Sequence, residues 1–128
     1  MKKIFIILTA AVVAVSAYAS EFADISVSEV SKLAEAKSAV IIDVNGAKSY
    51  AAGHVPGALS FAAIKNNLAA SLPADKGALI VAYCGNSKCG AYLQAAKAVQ
   101  KLGYTNVKHM AAGISGWKEA GMKTEPAK

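Results

Sequence analysis

The chain has 128 residues, which can form one hydrophobic core but not two, so we expect a single domain without a second, regulatory one. Its basic side chains are 14 lysines with no arginine, and the net charge is +6. Because the lysines are scattered and no arginine-rich or aromatic stripe accompanies them, we expect no nucleic-acid binding.

The N-terminal segment has the pattern of a secretory signal peptide. Two lysines follow the first methionine, an apolar run covers 4–14, and a small-x-small Ala-Tyr-Ala pattern ends at residue 19. A membrane anchor is the alternative, but the run is shorter than the roughly 18 to 20 residues that cross a bilayer. We therefore expect cleavage of residues 1–19. Residues 20–128, with a core over about 25–123, are then a periplasmic or secreted domain that does not contact the membrane.

The first half of this domain is predicted to contain a helix, a strand and a tight turn. Ser26-Val27-Ser28-Glu29 fits a capping box, and apolar residues recur at helical spacing after it. Residues 39–44 form a continuous apolar run that is typical of a strand covered on both faces, and Asp43 stands near its end. A short helix over 48–52 precedes Gly53-His54-Val55-Pro56-Gly57-Ala58, where two glycines and a proline predict a defined turn.

The second half alternates strands with helices. The expected elements are a strand near 59–61, a helix over 63–72, a buried strand at 79–83, a helix over 90–102 capped by Gly103, a strand at 106–110, and a helix over 114–120 that places Trp117 in the core. Because parallel neighbours need crossover connections, this alternation predicts an α/β fold with a parallel sheet and helices on both faces. Ligands of such sheets bind beyond the carboxyl ends of the strands.

A loop with two cysteines connects the strand at 79–83 to the helix over 90–102. It consists of Cys84, Gly85, Asn86, Ser87, Lys88 and Cys89. Backbone N–H groups of a short glycine-containing loop, aided by the positive end of a helix, can surround an anion and favour a thiolate over a thiol. Since Cys84 stands at the carboxyl end of its strand, we expect it to be a reactive cysteine.

Four stretches, in this order and spacing, resemble the rhodanese-like domain family. They are Ile41-Ile42-Asp43-Val44, the turn at 53–58, the segment from Tyr83 to Cys89, and the C-terminal third with Leu102-Gly103-Tyr104-Thr105-Asn106-Val107 and Ala112-Gly113-Ile114-Ser115-Gly116-Trp117. The resemblance spans nearly all of the expected domain. It implies a small parallel sheet of about five strands flanked by helices on both faces.

The resemblance also implies an enzyme of the thiosulfate sulfurtransferase type. In this family a loop cysteine takes a sulfane sulfur from thiosulfate or a related small anionic donor and passes it to a thiol or cyanide acceptor. Cys84 is then the nucleophile that becomes a persulfide, and the substrate-binding loop is Gly85, Asn86, Ser87, Lys88 and Cys89. Lys88 is expected to add a positive charge for the departing sulfite. We expect a monomer without a cofactor or metal.

The chain departs from the family at two positions, because Asn45 and Cys89 stand where many members have arginine or another polar residue. Lysine cannot replace arginine fully, since it lacks the bidentate geometry. Cys89 adds a possible resolving thiol, which could attack a persulfide or sulfenic acid on Cys84 and close a disulfide. A structural disulfide between the same two cysteines is the plainer alternative, and an oxidising compartment permits it.

The remaining candidates are given structural roles. We expect Asp43 to hold the turn that follows its strand or the start of a helix, and His54 to anchor the turn at 53–58, each as a structural residue or as a support directly behind the site. His109 is expected to be a surface residue at a strand end. The spacing of the cysteines and histidines does not suit a zinc site. A cysteine-dependent phosphatase would need a longer loop and an arginine. A sulfur carrier without turnover and a thiol-disulfide oxidoreductase that uses Cys84 and Cys89 remain as alternative functions.

Overall fold

The structure is a computed structural model that describes residues 22–127. The predicted signal peptide, residues 1–19, lies outside the described residues. The elements in chain order are β1 (Ala23–Asp24), α1 (Val27–Ala36), β2 (Val40–Asp43), α2 (Ala47–Ala52), β3 (Leu59–Ser60), α3 (Phe61–Ile64), a 3₁₀ turn (Lys65–Asn67), α4 (Leu68–Ser71), β4 (Ile80–Tyr83), α5 (Tyr92–Lys101), β5 (Val107–His109) and α6 (Gly113–Glu119).

The five strands form one parallel sheet in the order β1-β5-β4-β2-β3, which confirms the predicted fold class. Successive residues of a strand face opposite sides of the sheet, and the core is accordingly divided in two. On one face Ile42 of β2 packs in a cluster with Val99 of α5. On the other face Ile41 packs in a cluster with Val30 of α1 and Trp117 of α6. Trp117 is therefore a core residue, as predicted.

The two longest helices begin and end near the predicted residues. The Ser26 hydroxyl oxygen accepts a hydrogen bond from the Glu29 N–H at 3.1 Å, so Ser26 is the N-cap of α1 as the capping box predicts. After α5, Gly103 has a φ of 99°, which suits a glycine at a helix end. Both helices have ten residues, and within residues 22–127 no helix is long and apolar enough to span a membrane.

One local prediction was wrong, and one short strand was not predicted. The helix expected over 63–72 is broken into α3, the 3₁₀ turn and α4, with a non-helical backbone at Asn67 (φ −142°, ψ 36°). Asparagine side chains compete with helical hydrogen bonds, and two of them stand in succession here. In addition, β1 has no apolar run that would have predicted it. This two-residue edge strand exists because β5 offers it hydrogen-bonding groups.

The expectation that His109 is a surface residue was also wrong. His109 is 7% exposed and stacks on Tyr92, with the ring centroids 3.4 Å apart. The reason is tertiary: α5 crosses the end of β5, so the last side chain of the strand faces the helix. Burial lowers the pKa of His109, although the charge of Asp24 acts in the opposite direction.

Candidate active site

The candidate active site lies at the carboxyl edge of the sheet, where β4 ends. Cys84 follows β4 directly and is 1% exposed. The end of the neighbouring strand β2 lies beside it, since the Val44 N–H donates to the Tyr83 carbonyl at 2.9 Å. The structure thus places Cys84 where a parallel sheet is expected to bind its ligand.

The first turn of α6 holds the start of the cysteine loop. The Ile114 N–H donates to the Cys84 carbonyl at 2.9 Å, and the Ser115 N–H donates to the Gly85 carbonyl at 2.9 Å. A trans peptide directs its C=O and N–H groups in opposite directions. Because the Cys84 carbonyl is directed at α6, the Gly85 N–H is directed back toward the sulfur side of the loop, where it acts to lower the pKa of Cys84. This support of the loop by α6 was missed in the sequence.

Gly113 makes the close contact between α6 and the loop possible. It has a φ of 64°, and a Cβ built on it would lie 2.7 Å from the Cys84 carbonyl oxygen and 2.8 Å from the Asn86 nitrogen. Both neighbouring atoms belong to the backbone and cannot rotate away. Glycine is therefore the residue that fits here, for conformation and for space.

A tight turn forms the second half of the loop. The Cys89 N–H donates to the Asn86 carbonyl at 3.1 Å, and the Lys88 N–H donates to the Asn86 side-chain oxygen Oδ1 at 2.9 Å. These two N–H groups are thus engaged within the loop, while the Ser87 and Lys88 side chains are exposed at its tip. The turn returns the chain to Cys84, whose Sγ donates to the Cys89 carbonyl at 3.3 Å.

The two thiols differ in acidity. Burial raises the pKa of Cys84 to about 11, helped by its hydrogen bond with the Cys89 thiol, and the N–H groups of Tyr92 and Gly85 offset this only in part. Burial also acts to raise the pKa of Cys89, but hydrogen bonds from the Cys84 thiol and from the N–H groups of Gly85 and Ala91 lower it below its ordinary value. The expectation that the loop favours a Cys84 thiolate was therefore wrong for the free protein, because burial outweighs the N–H groups.

Asp43 is part of a buried hydrogen-bond network beneath the site. Its Oδ2 accepts from the Tyr83 hydroxyl at 2.7 Å and its Oδ1 from the Asn45 N–H at 2.7 Å. The Tyr83 hydroxyl oxygen also accepts from the Val55 N–H at 3.0 Å. Burial, and then the hydrogen bond to Asp43, raise the pKa of Tyr83. Asp43 thus orients the residue directly before Cys84 and holds the turn after β2, as interpreted from the sequence.

His54 anchors its turn and does not join the cysteines. Its Nδ1 lies 2.8 Å from the Tyr50 carbonyl oxygen, its ring stacks on Tyr50, and its Nε2 lies 3.5 Å from a carboxylate oxygen of Glu125. Within residues 22–127 no three histidine, cysteine or acidic side chains are grouped closely enough to hold a metal ion.

Near the end of β2 the structure shows a buried amide of Asn45 and a cleft that the sequence did not predict. The Nδ2 of Asn45 is buried and has no hydrogen-bond partner among residues 22–127. At the same edge of the sheet is a cleft of about 120 Å³, lined by Val44, Gly46, Phe61, Ala62, Lys65 and Gln94. A free amide donor and the Lys65 cation suit an anionic ligand. Lys65 comes from a stretch without a motif and reaches this edge through the fold alone.

The Cys89→Ala variant is expected to lower the pKa of Cys84. Cys89 raises that pKa through a hydrogen bond and through its charge, and alanine removes both. We expect the midpoint of Cys84 alkylation by iodoacetamide, followed by peptide mass against pH, to fall by about one unit or more. A midpoint that stays unchanged would mean that burial alone sets the acidity of Cys84.

The sequence and the fold of the chain are similar to those of known proteins. Residues 26–120 match the family described as the rhodanese-like domain. The BH2092 protein from Bacillus halodurans is 24% identical and superposes with a TM-score of 0.70, covering 81% of this chain and 77% of that one. The human single-domain sulfurtransferase TSTD1 is 27% identical, with a TM-score of 0.59 and coverage of 75% and 95%. A thiosulfate sulfurtransferase from Pseudomonas aeruginosa is 24% identical, with a TM-score of 0.66 and coverage of 84% and 21%. Because the matched segment spans most of the chain and includes the cysteine loop, the protein belongs to the rhodanese-like domain family.

Proposed function

We propose that the protein is a sulfurtransferase that moves a sulfane sulfur from thiosulfate, or a related small anionic donor, to a thiol or cyanide acceptor. The observation that carries the proposal is the position of Cys84 at the carboxyl end of β4, where the N–H groups of Gly85 and Tyr92 act to lower the pKa of its thiol. Membership of a family whose structural neighbours include sulfurtransferases supports the same chemistry.

The reaction has two steps. The Cys84 thiolate attacks the outer sulfur of thiosulfate, the S–S bond of the donor breaks, and sulfite leaves with the bonding electron pair. The product is a Cys84 persulfide. An acceptor such as cyanide then attacks the outer sulfur of the persulfide, which forms thiocyanate and returns the Cys84 thiolate.

The surrounding groups have distinct tasks in these steps. The N–H groups of Gly85 and Tyr92 act to lower the pKa of Cys84 and so favour the thiolate that attacks the donor. Lys88 at the loop tip and Lys65 in the cleft attract the anionic donor and the departing sulfite. Since the pKa of Cys84 is raised in the free protein, a smaller fraction of it is nucleophilic at neutral pH than in an unperturbed thiol.

The test is thiocyanate formation from thiosulfate and cyanide, together with the intact mass after thiosulfate alone. We expect turnover and a transient gain of one sulfur atom. A gain of sulfur without turnover would favour a non-catalytic sulfur carrier. Loss of two hydrogens without any sulfur transfer would favour a thiol-disulfide oxidoreductase. A protein that neither gains sulfur nor forms thiocyanate would refute the proposal.

We also propose that the protein acts as a monomer in the periplasm or outside the cell. The support is the sequence pattern of residues 1–19 and the length of the segment that follows. An N-terminal sequence of the exported protein that begins near Ser20 is the expected result, and retention of residues 1–19 on that protein would contradict it.

A further inference from the structure

The loop holds a second thiol close to the first. Cys84 and Cys89 are both free, the Cys84 Sγ donates to the Cys89 carbonyl at 3.3 Å, and each thiol shifts the pKa of the other. Cys84 is buried and Cys89 half-buried, packed against the same core cluster. Sulfur transfer from thiosulfate to cyanide needs one cysteine nucleophile, so the second thiol takes no covalent part in the reaction described above.

The backbone of the loop brings the two thiols together. The hydrogen bond from the Cys89 N–H to the Asn86 carbonyl closes a turn, and the Lys88 N–H reinforces it through the Asn86 side chain. Because of this turn, residue 89 returns to residue 84, and the Cys84 Sγ reaches the Cys89 carbonyl at 3.3 Å. A disulfide requires its two Cβ atoms to approach to about 4 Å, and the turn places residue 89 beside residue 84, so that this approach involves movement of the loop alone.

The acidity of the pair suits attack by Cys89. A thiolate is the nucleophile of thiol exchange, and the N–H groups of Gly85 and Ala91 act to lower the pKa of the Cys89 thiol whether or not Cys84 carries its own proton. When Cys84 carries a persulfide, Cys89 is thus the nucleophile nearest to its inner sulfur. It is a loop residue already held against Cys84, so the attack is intramolecular and needs no second molecule to bind.

We propose that Cys89 resolves the Cys84 persulfide and gives the protein a second activity, the release of sulfide. This inference rests on the sulfurtransferase function proposed above. The Cys89 thiol gives its proton to the anionic outer sulfur of the persulfide, and the resulting thiolate attacks the inner sulfur. A Cys84–Cys89 disulfide forms, and the outer sulfur leaves as hydrosulfide with that proton and the electron pair of the broken S–S bond. The sulfane sulfur is reduced by two electrons, and the two cysteine sulfurs are oxidised by one electron each.

The cycle closes with a dithiol reductant, either a small dithiol or a protein with two cysteines. Its two thiols supply two electrons and two protons, which restore Cys84 and Cys89. The protein would then form two different products from the same persulfide, a sulfurated acceptor or free sulfide. A thiophilic acceptor receives the sulfur directly, whereas without an acceptor the sulfur leaves as sulfide and the loop is oxidised until a dithiol reduces it.

The test is a single turnover of the reduced full chain, freed of reductant, with one equivalent of thiosulfate. Samples are quenched in acid for intact mass, and sulfide is measured in parallel. The wild type should pass through a gain of one sulfur and end at a loss of two hydrogens with about one sulfide per chain. Because the chain has two cysteines, a monomer that has lost two hydrogens must contain the Cys84–Cys89 disulfide.

Two variants separate this inference from the function on which it rests. Cys89→Ser and Cys89→Ala should take up one sulfur and keep it at least about tenfold longer than the wild type, without sulfide release. A wild-type persulfide that lasts as long as theirs overturns the inference and leaves the sulfurtransferase proposal intact. If neither thiosulfate nor inorganic polysulfide adds sulfur to the wild type or the variants, both proposals are overturned.

Discussion

Replacing Cys84 with serine is expected to lower thiocyanate formation from thiosulfate and cyanide by at least about a thousandfold. The hydroxyl of serine is not ionised at neutral pH and is a far weaker nucleophile than a thiolate. Cys84→Ser should also show no gain of sulfur in its intact mass after thiosulfate. The fold should persist, because a serine hydroxyl can donate to the Cys89 carbonyl in place of the thiol.

Cys89→Ser is the matched control, since it makes the same chemical change at the other cysteine of the loop. It should still gain one sulfur. Circular dichroism and urea unfolding establish that both variants are folded. Activity retained in a folded Cys84→Ser protein, or a sulfur found on Cys89 in that protein, would remove Cys84 from its assigned role.

Replacing Gly113 with alanine is expected to lower the free energy of unfolding by about 2 to 5 kcal/mol and to abolish sulfur transfer. A φ of 64° alone costs an L-residue about 1 to 2 kcal/mol. The added Cβ would lie 2.7 Å from the Cys84 carbonyl oxygen, and overpacking of this kind costs about 1 to 3 kcal/mol more. To relieve that contact, α6 or the loop must move. Either movement displaces the Gly85 N–H, which acts to lower the pKa of Cys84.

Gly121→Ala separates the conformational cost of a positive φ from the cost of the steric contact. Gly121 has a φ of 78°, but a Cβ built there has nothing within 4 Å. Its alanine variant should therefore show the conformational cost of about 1 to 2 kcal/mol without the contact, and it should keep its activity. Urea unfolding of both variants gives the comparison. If Gly113→Ala is no less stable than Gly121→Ala, the proposed packing of α6 on the loop is wrong.

Features that depend on near neighbours along the chain could be predicted from the amino-acid sequence alone. The capping box at Ser26 predicts the start of α1, because an N-cap needs only the residues of one turn. The apolar runs predict β2 and β4, because strands buried on both faces need apolar side chains at every position. The place of Cys84 at the end of β4 follows from the second run, and so the principal candidate residue could be identified without a structure.

Features that depend on residues far apart in the chain follow only from the tertiary packing. The strand β1 exists through pairing with β5, and His109 is buried because α5 crosses its strand. The contact of Gly113 with Cys84 joins segments that are separated by nearly thirty residues, and no local pattern carries that information.

The acidity of the two thiols was decided in the same way. Near neighbours in the loop predict a thiolate at Cys84, because they supply N–H groups. Burial depends on all the residues that pack around the sulfur. It raises the pKa of Cys84 by more than the N–H groups lower it. Cys89 is less buried and receives more hydrogen bonds, so the lower pKa belongs to it. The sequence therefore identified both cysteines, whereas the packing around them sets the direction in which the pKa of each thiol moves.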